Sequence, residues 1–238
     1  MFATFKLLLV WVPLGTLAGI LGIPYTLMVG DVSLLYRVAM WIIRAGLRVG
    51  GIKVEVVGRE RVPCDRSVIF LCNHVSNLDP PVVLPVLPGR CSVLLKKELM
   101  GIPILGRAMR MAQFVPVERG SRREAAQASV VAAAKALDDG LNMLVYPEGT
   151  RSRDGRLAEF KKGPFFLAQQ TGALIVPVAV WGTERMMRKG SILVIPGVAH
   201  VEMLAPIDPA DYTSREDLMQ AVRSALASAL PESMRPLA

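Results

Sequence analysis

The chain is poor in the residues that build disulfide or metal scaffolds: its 238 residues include three cysteines and two histidines. Cys64, Cys72 and Cys91 form an odd set with no C-x-x-C spacing, which argues against a disulfide framework and points to a reducing compartment. No His or Cys cluster has metal-ligand spacing, so no metal is expected. The 20 glycines and 17 prolines follow no period, which excludes a collagen-like chain. Internal repeats and low-complexity segments are also missing. Serine-hydrolase chemistry lacks its usual marker, because no G-x-S-x-G surrounds Ser76. What is abundant is apolar: hydrophobic residues make up 52% and mean hydropathy is +0.41. Disorder is thereby excluded, and some apolar surface is expected to face lipid. The net charge of +8 favours anionic partners, namely nucleic acid, lipid headgroups or phosphorylated substrates. Nucleic acid fits poorly, since no basic stripe with interleaved aromatics is visible.

Charge is absent from residues 7–30, a run of 24 residues that would rise about 36 Å as a helix. About 20 apolar residues suffice to cross a bilayer core. A buried core helix and a cleaved signal peptide are the competing readings. Pro13 and Pro24, with Gly15, Gly19 and Gly22, argue against a straight helix and leave a kinked span or a re-entrant dip open. Residues 32–49 read as an amphipathic helix with Arg37, Arg44 and Arg48 on one line, either packed on the domain or lying at an interface with its arginines at phosphate level. If the first segment spans, those arginines place the remainder on the cytoplasmic face of a membrane, here expected to be a bacterial inner membrane. The expected division is therefore 1–50, membrane-associating helices, and 51–238, a single α/β domain. Setting aside the four cations and one carboxylate of residues 1–50 leaves the second part at +5.

In that second part, short apolar runs alternate with helical stretches. Strands are predicted at 52–57, 67–72, 91–95, 112–117, 141–146 and 174–181, with another inside 192–204. Ser121 with Glu124 forms a capping box opening an Ala-rich helix that ends at Gly140. Residues 160–171 read as a helix stopped by Gly172, and Ser214 with Asp217 caps a last helix reaching Ala229. This alternation implies α/β layers around a mostly parallel central sheet with flanking helices.

Three predicted strand ends carry chemistry, where α/β folds place reactive groups. His74 follows the 67–72 run, and Asp79 lies five residues on. In a continuous helix the two side chains would stand about 140° apart, so they meet only if the chain turns. Asn73, Ser76, Asn77 and the prolines 80 and 81 make a turn plausible. The plain alternative is that Asp79 and Pro80 open a helix running to about Val86, with His74 a simple loop residue. A His–Asp pair without a partnered nucleophile suits a general base whose carboxylate fixes the tautomer. The second cluster, Tyr146-Pro147-Glu148-Gly149-Thr150-Arg151-Ser152-Arg153, combines small residues with guanidinium groups, as a phosphate site would. A third, Phe114-Val115-Pro116-Val117-Glu118-Arg119, again puts an arginine past a strand.

The chain resembles the glycerolipid acyltransferase family, most closely the 1-acylglycerol-3-phosphate (lysophosphatidate) acyltransferases. Asn73-His74 with Asp79 matches the family's N-H-x-x-x-x-D signature, and residues 114–119 look like its second block, though Ala112-Gln113 stands where a glycine is common. Residues 146–152 match the third block, and Val176-Pro177-Val178 the fourth, to which no catalytic role is given. Lys97-Glu98-Leu99 with Pro103 and Gly106 is similar to a pattern between the first two blocks. The resemblance implies acyl transfer from acyl-CoA or acyl-carrier protein, as co-substrate without a cofactor, to the sn-2 hydroxyl of 1-acylglycerol 3-phosphate, giving phosphatidic acid. His74 would be the base and Asp79 its orienting carboxylate, with no covalent enzyme intermediate. Lys97, Arg119, Glu148, Gly149, Thr150 and Arg151 would form the site for the phosphorylated acceptor, with Glu148 tied to an arginine or a glycerol hydroxyl. The rival readings are another lyso-lipid acceptor, such as a lyso-ornithine lipid, and a membrane-anchored lipid-binding protein without chemistry.

Overall fold

A computed structural model of the chain describes residues 2–117, 123–188 and 190–236, excluding the side chains of 123–126. Two helices, α1 (Phe2–Val29) and α2 (Ser33–Val49), precede strands β1 (Ile52–Val57), β2 (Val68–Cys72), β3 (Cys91–Lys96), β4 (Val115–Val117), β5 (Asn142–Val145), β6 (Leu174–Trp181) and β7 (Gly197–Met203). The connections hold helices α3 (Asp79–Val83), α4 (Leu105–Met111), α5 (Arg123–Asp138), α6 (Gly163–Thr171) and α7 (Thr183–Met186), and α8 (Arg215–Ala229) follows the last strand. The sheet order is β1-β7-β6-β2-β5-β3-β4, and every neighbouring pair except β6–β7 is parallel. This is the mostly parallel α/β architecture expected from the alternation. Because β6, β2, β5, β3 and β4 run the same way, all five end on one edge of the sheet.

The central strand β2 explains why that sheet is covered on both faces. Val68, Ile69, Phe70, Leu71 and Cys72 are all fully buried. Alternate side chains point to opposite faces, so an uninterrupted apolar run needs a partner layer on each side. Val68, Phe70 and Cys72 share one layer with Tyr36, Met40 and Leu47 of α2 and with Val82 and Val83 of α3. Ile69 and Leu71 share the other with Phe165 and Leu167 of α6 and with Leu218, Val222 and Leu226 of α8. Helix α2 is thus part of the core. The Tyr36 hydroxyl accepts the Cys91 backbone N–H at 3.1 Å, and Arg44 Nη1 donates to the Pro85 carbonyl. The change at residue 50 is one of composition; packing continues across it.

Of the two forms left open for residues 7–30, the re-entrant dip gives way to one continuous helix, α1. It runs unbroken for 28 residues with Pro13 and Pro24 inside it. Prolines remove two ladder donors, but the helix is held along its length by α2 and α4. It lies antiparallel to α2: the Trp11 indole N–H donates to the Ile43 carbonyl, and Leu35 sits against Gly22. Near its start, the Thr4 hydroxyl donates to the Ile192 carbonyl and accepts the Val194 N–H. Farther on, Ile104, just before α4, packs on Gly19. Both halves therefore rest on the α/β body, and the outward face carries exposed Phe5, Leu9, Val12 and Ile20. On α2, Arg37, Arg44 and Arg48 are exposed with Trp41 among them.

Other boundaries shift for local reasons. The strand expected at 112–117 shrinks to β4 because α4 runs to Met111 and Gln113 adopts a positive φ of 59°. The helix expected from 160 begins at Gly163, with Pro164 in its first turn. The helix expected from Asp79 to about Val86 is α3 continued by a 3-10 turn over Leu84–Val86. The capping box at 121–124 lies outside the described residues. The other cap is as read: Ser214 Oγ accepts the Asp217 N–H at the start of α8.

Candidate active site

The site is built on the carboxyl edge of the sheet, from loops that leave β2, β5 and β6. Past β2, Asn73 prolongs the ladder with its side chain: Nδ2 donates to the Val180 carbonyl at 2.8 Å and Oδ1 accepts the Val180 N–H at 2.7 Å. Its amide thus holds the loop to β6 where backbone pairing ends. The chain then turns, and His74 Nδ1 and Asp79 Oδ2 come within 2.7 Å. The same Oδ2 accepts the Val75 and Ser76 N–H groups, each at 2.8 Å. Asp79 opens α3, but its carboxylate reaches back into the loop, so the His–Asp contact and the helix start coexist. The other oxygen, Oδ1, accepts the Thr183 hydroxyl at 2.5 Å. Asp79 is fully buried, while the His74 side chain keeps 14% of its surface exposed. With both Asp79 oxygens engaged as acceptors, the contact fits the tautomer that carries its proton on His74 Nδ1 and its lone pair on Nε2.

The loop after β5 clamps His74 from the other side. Tyr146 stacks on the imidazole, ring centroids 4.2 Å apart. Gly149 closes a turn with its N–H on the Tyr146 carbonyl at 3.0 Å, and its φ of 68° is one that glycine adopts without strain. The Ser152 N–H donates to the His74 carbonyl at 2.8 Å. Glu148 is buried, and its Oε1 accepts the His74 N–H at 2.7 Å while Oε2 accepts the Ala158 N–H at 3.1 Å. Burial pushes its carboxyl up to about 7, and the charge of Asp79 adds to this; the two N–H bonds and Arg223 pull the other way. The hydrogen bonds that Glu148 makes are to two backbone amides, with Arg223 acting on it through its charge. Where this carboxylate is packed, main-chain N–H groups satisfy it more compactly than a guanidinium.

Thr150 is exposed and Arg151 half-buried. Both line a pocket of about 500 Å³ whose charged lining is Arg151, Arg153, Arg156 and Arg223 with Asp154 and Glu159. Lys97 is exposed at the start of a 3-10 helix, Lys97–Gly101, directly past β3 on the same edge. Glu118 and Arg119 lie outside the described residues. The sequence reading missed Asn73 and Ser76 as loop anchors, Tyr146 as the stacking partner, Arg156 and Arg223 as pocket cations, and Thr183. The same strand-end rule that found His74 would have found Thr183, which stands two residues past β6 with Gly182 between.

Comparison with known proteins places these loops in a family. The acyltransferase family model matches residues 53–181, from β1 to the end of β6. A 1-acyl-sn-glycerol-3-phosphate acyltransferase of Limnanthes douglasii is 33% identical over 189 residues, 79% of this chain, which spans 66% of that protein's length. One of the same name from Borreliella burgdorferi is 31% identical over 191 residues, covering 79% of this chain and 76% of the other. The crystal structure of the 1-acyl-sn-glycerophosphate (LPA) acyltransferase PlsC from Thermotoga maritima superposes with a TM-score of 0.82 at 25% identity, over 97% of this chain and 95% of that one. With the matched segment carrying the His74–Asp79 pair and the loop that clamps it, the chain belongs to the acyltransferase family.

Proposed function

We propose that the protein transfers an acyl chain from a thioester, acyl-CoA or acyl-carrier protein, to the sn-2 hydroxyl of 1-acylglycerol 3-phosphate. The observation that carries this reading is the 2.7 Å contact between His74 Nδ1 and a buried Asp79, with Nε2 left for substrate. Nε2 takes the hydroxyl proton as the oxygen attacks the thioester carbonyl. The C–O bond forms, the C–S bond breaks, and the departing sulfur takes the proton back from the imidazolium. Asp79 holds the ring and supports its positive charge without taking the proton. The pocket at residues 150–156, with Arg223, suits the acceptor's phosphate through guanidinium forks, and Lys97 and Arg119 are assigned to the same anion. Glu148 acts here through the backbone of His74, as its hydrogen bonds support.

The outward faces of α1 and α2 fit a lipid surface, where both acyl substrates reside. We place the domain on the cytoplasmic face of a bacterial inner membrane, attached through residues 1–50. The exposed apolar side chains of Ile192, Leu193 and Ile195 adjoin the start of α1 and extend this surface.

The test is thiol release from acyl-CoA and acyl-carrier-protein donors against phosphorylated and unphosphorylated lyso-acceptors. His74→Ala should lower turnover by about 10²–10⁴ with an unchanged melting temperature. Near-normal turnover in that variant overturns the base assignment. Equal rates with unphosphorylated acceptors overturn the acceptor assignment, and binding without thiol release supports a non-catalytic lipid-binding protein instead.

A further inference from the structure

We propose that Thr183 is a positioning residue for acyl transfer, acting through Asp79 on His74. The inference rests on the reading of His74 as the base and gives the end of β6 a part in the chemistry. Strand β6 stops at Trp181, and Gly182 turns the chain with a φ of 91°. A Cβ at Gly182 would lie 2.3 Å from the Val198 carbonyl oxygen, so the turn is tight against β7. It delivers Thr183, fully buried, beneath the loop that follows β2.

Asp79 shows why that hydroxyl matters. Three donors, the His74 ring N–H and the Val75 and Ser76 amides, converge on Oδ2. Oδ1 receives the Thr183 hydroxyl, and the residue has no exposed surface through which water would take its place. A buried carboxylate oxygen deprived of its donor must find another or share those of its neighbour, and either motion turns the carboxylate away from Nδ1. A second tie fixes the same segment: Ser76 Oγ donates to the Met187 carbonyl at 2.8 Å, while the Met187 N–H donates to the Thr183 carbonyl at 2.9 Å. The loop bearing His74 and the end of β6 thus form one hydrogen-bonded unit, 104 residues apart at its Thr183–Asp79 contact.

The experiment compares Thr183→Val, Thr183→Ser and Thr183→Ala in the full chain, each also combined with His74→Ala. Thr183→Val keeps the shape and loses the donor, and its kcat should fall about 10- to 100-fold, as expected for one hydrogen bond to a charged group. KM for the lyso-acceptor should stay within about twofold, because the phosphate pocket is untouched. Thr183→Ser should recover most of the rate despite the missing methyl. In the His74→Ala background, adding Thr183→Val should remove nothing further. Wild-type kcat in Thr183→Val overturns the inference, as does a serine variant no better than alanine, or an equal loss with and without His74. If the valine variant does not fold, serine against alanine carries the same comparison. A fully active His74→Ala protein would instead overturn the base reading itself, which separates the two failures.

Discussion

Glu148 shows how one side chain can tie acidity, stability and loop geometry together. Its carboxyl is raised from an ordinary 4.5 to about 7 because burial disfavours the charge more than its two N–H bonds stabilise it. Between those values the folded protein holds a proton that the unfolded chain has released. Stability therefore falls as pH rises through that window, by about 3 kcal/mol in all. Glu148→Gln keeps the volume and one acceptor but does not titrate. The melting temperature of the wild type minus that of Glu148→Gln should drop between about pH 5 and pH 8. Parallel melting curves across that range would show that Glu148 does not titrate there. At this scale the sequence exposed His74 and Asp79, because five residues rich in turn formers can fold a base onto its carboxylate. It hid Thr183 and the backbone role of Glu148, because those depend on contacts across 104 and 74 residues.

Among the elements, those with a strong local pattern were legible and those set by packing were not. Strand β1 and helix α8 stand where alternation and the Ser214 cap place them. β4 is shorter than its apolar run because α4 uses up the residues before it. The N-terminal pair is the larger departure. Two prolines left a re-entrant dip open, yet α1 is continuous, and small residues at the seams let it lie close to its neighbours. A Cβ on Gly46 would stand 2.1 Å from the Trp11 indole nitrogen, and one on Gly19 would stand 2.0 Å from Ile104. Gly46→Leu should therefore wedge α1 off α2 and cost about 1–3 kcal/mol, an overpacking penalty. For a chain of this length that is a drop of about 2–12 °C in melting temperature. An unchanged melting temperature would mean that the two helices do not need this seam.

Across the whole molecule, the mostly parallel topology accounts for the placement of the site. Strand direction alone gathers residues from 74 to 183 on one edge, so α/β alternation in the sequence foretold where the chemistry would lie. The sequence left open whether residues 33–49 pack on the domain or lie at an interface, since an amphipathic helix pattern does not say whether its apolar face meets lipid or sheet; it meets the sheet. The outward face of α1 provides the membrane test. Replacing Phe5, Leu9 and Val12 with serine leaves the inward Leu7 and Trp11 contacts in place. The triple variant should lose most of its co-flotation with anionic vesicles while keeping its melting temperature; wild-type flotation would shift the attachment elsewhere.

The register of β1 carries a consequence for biosynthesis. Ile52 pairs with Gly197, and Thr4 bonds to Ile192 and Val194, so the strand that completes β1 is translated about 145 residues after it, and the last contacts of the start of α1 come later still relative to Thr4. At roughly 5–20 residues per second that is a wait of about 7–30 s. Through that interval β1 has no partner strand, and the start of α1 lacks the 192–194 segment that Thr4 binds. Until β7 leaves the ribosome, that edge of the sheet stays open to strand pairing with another chain.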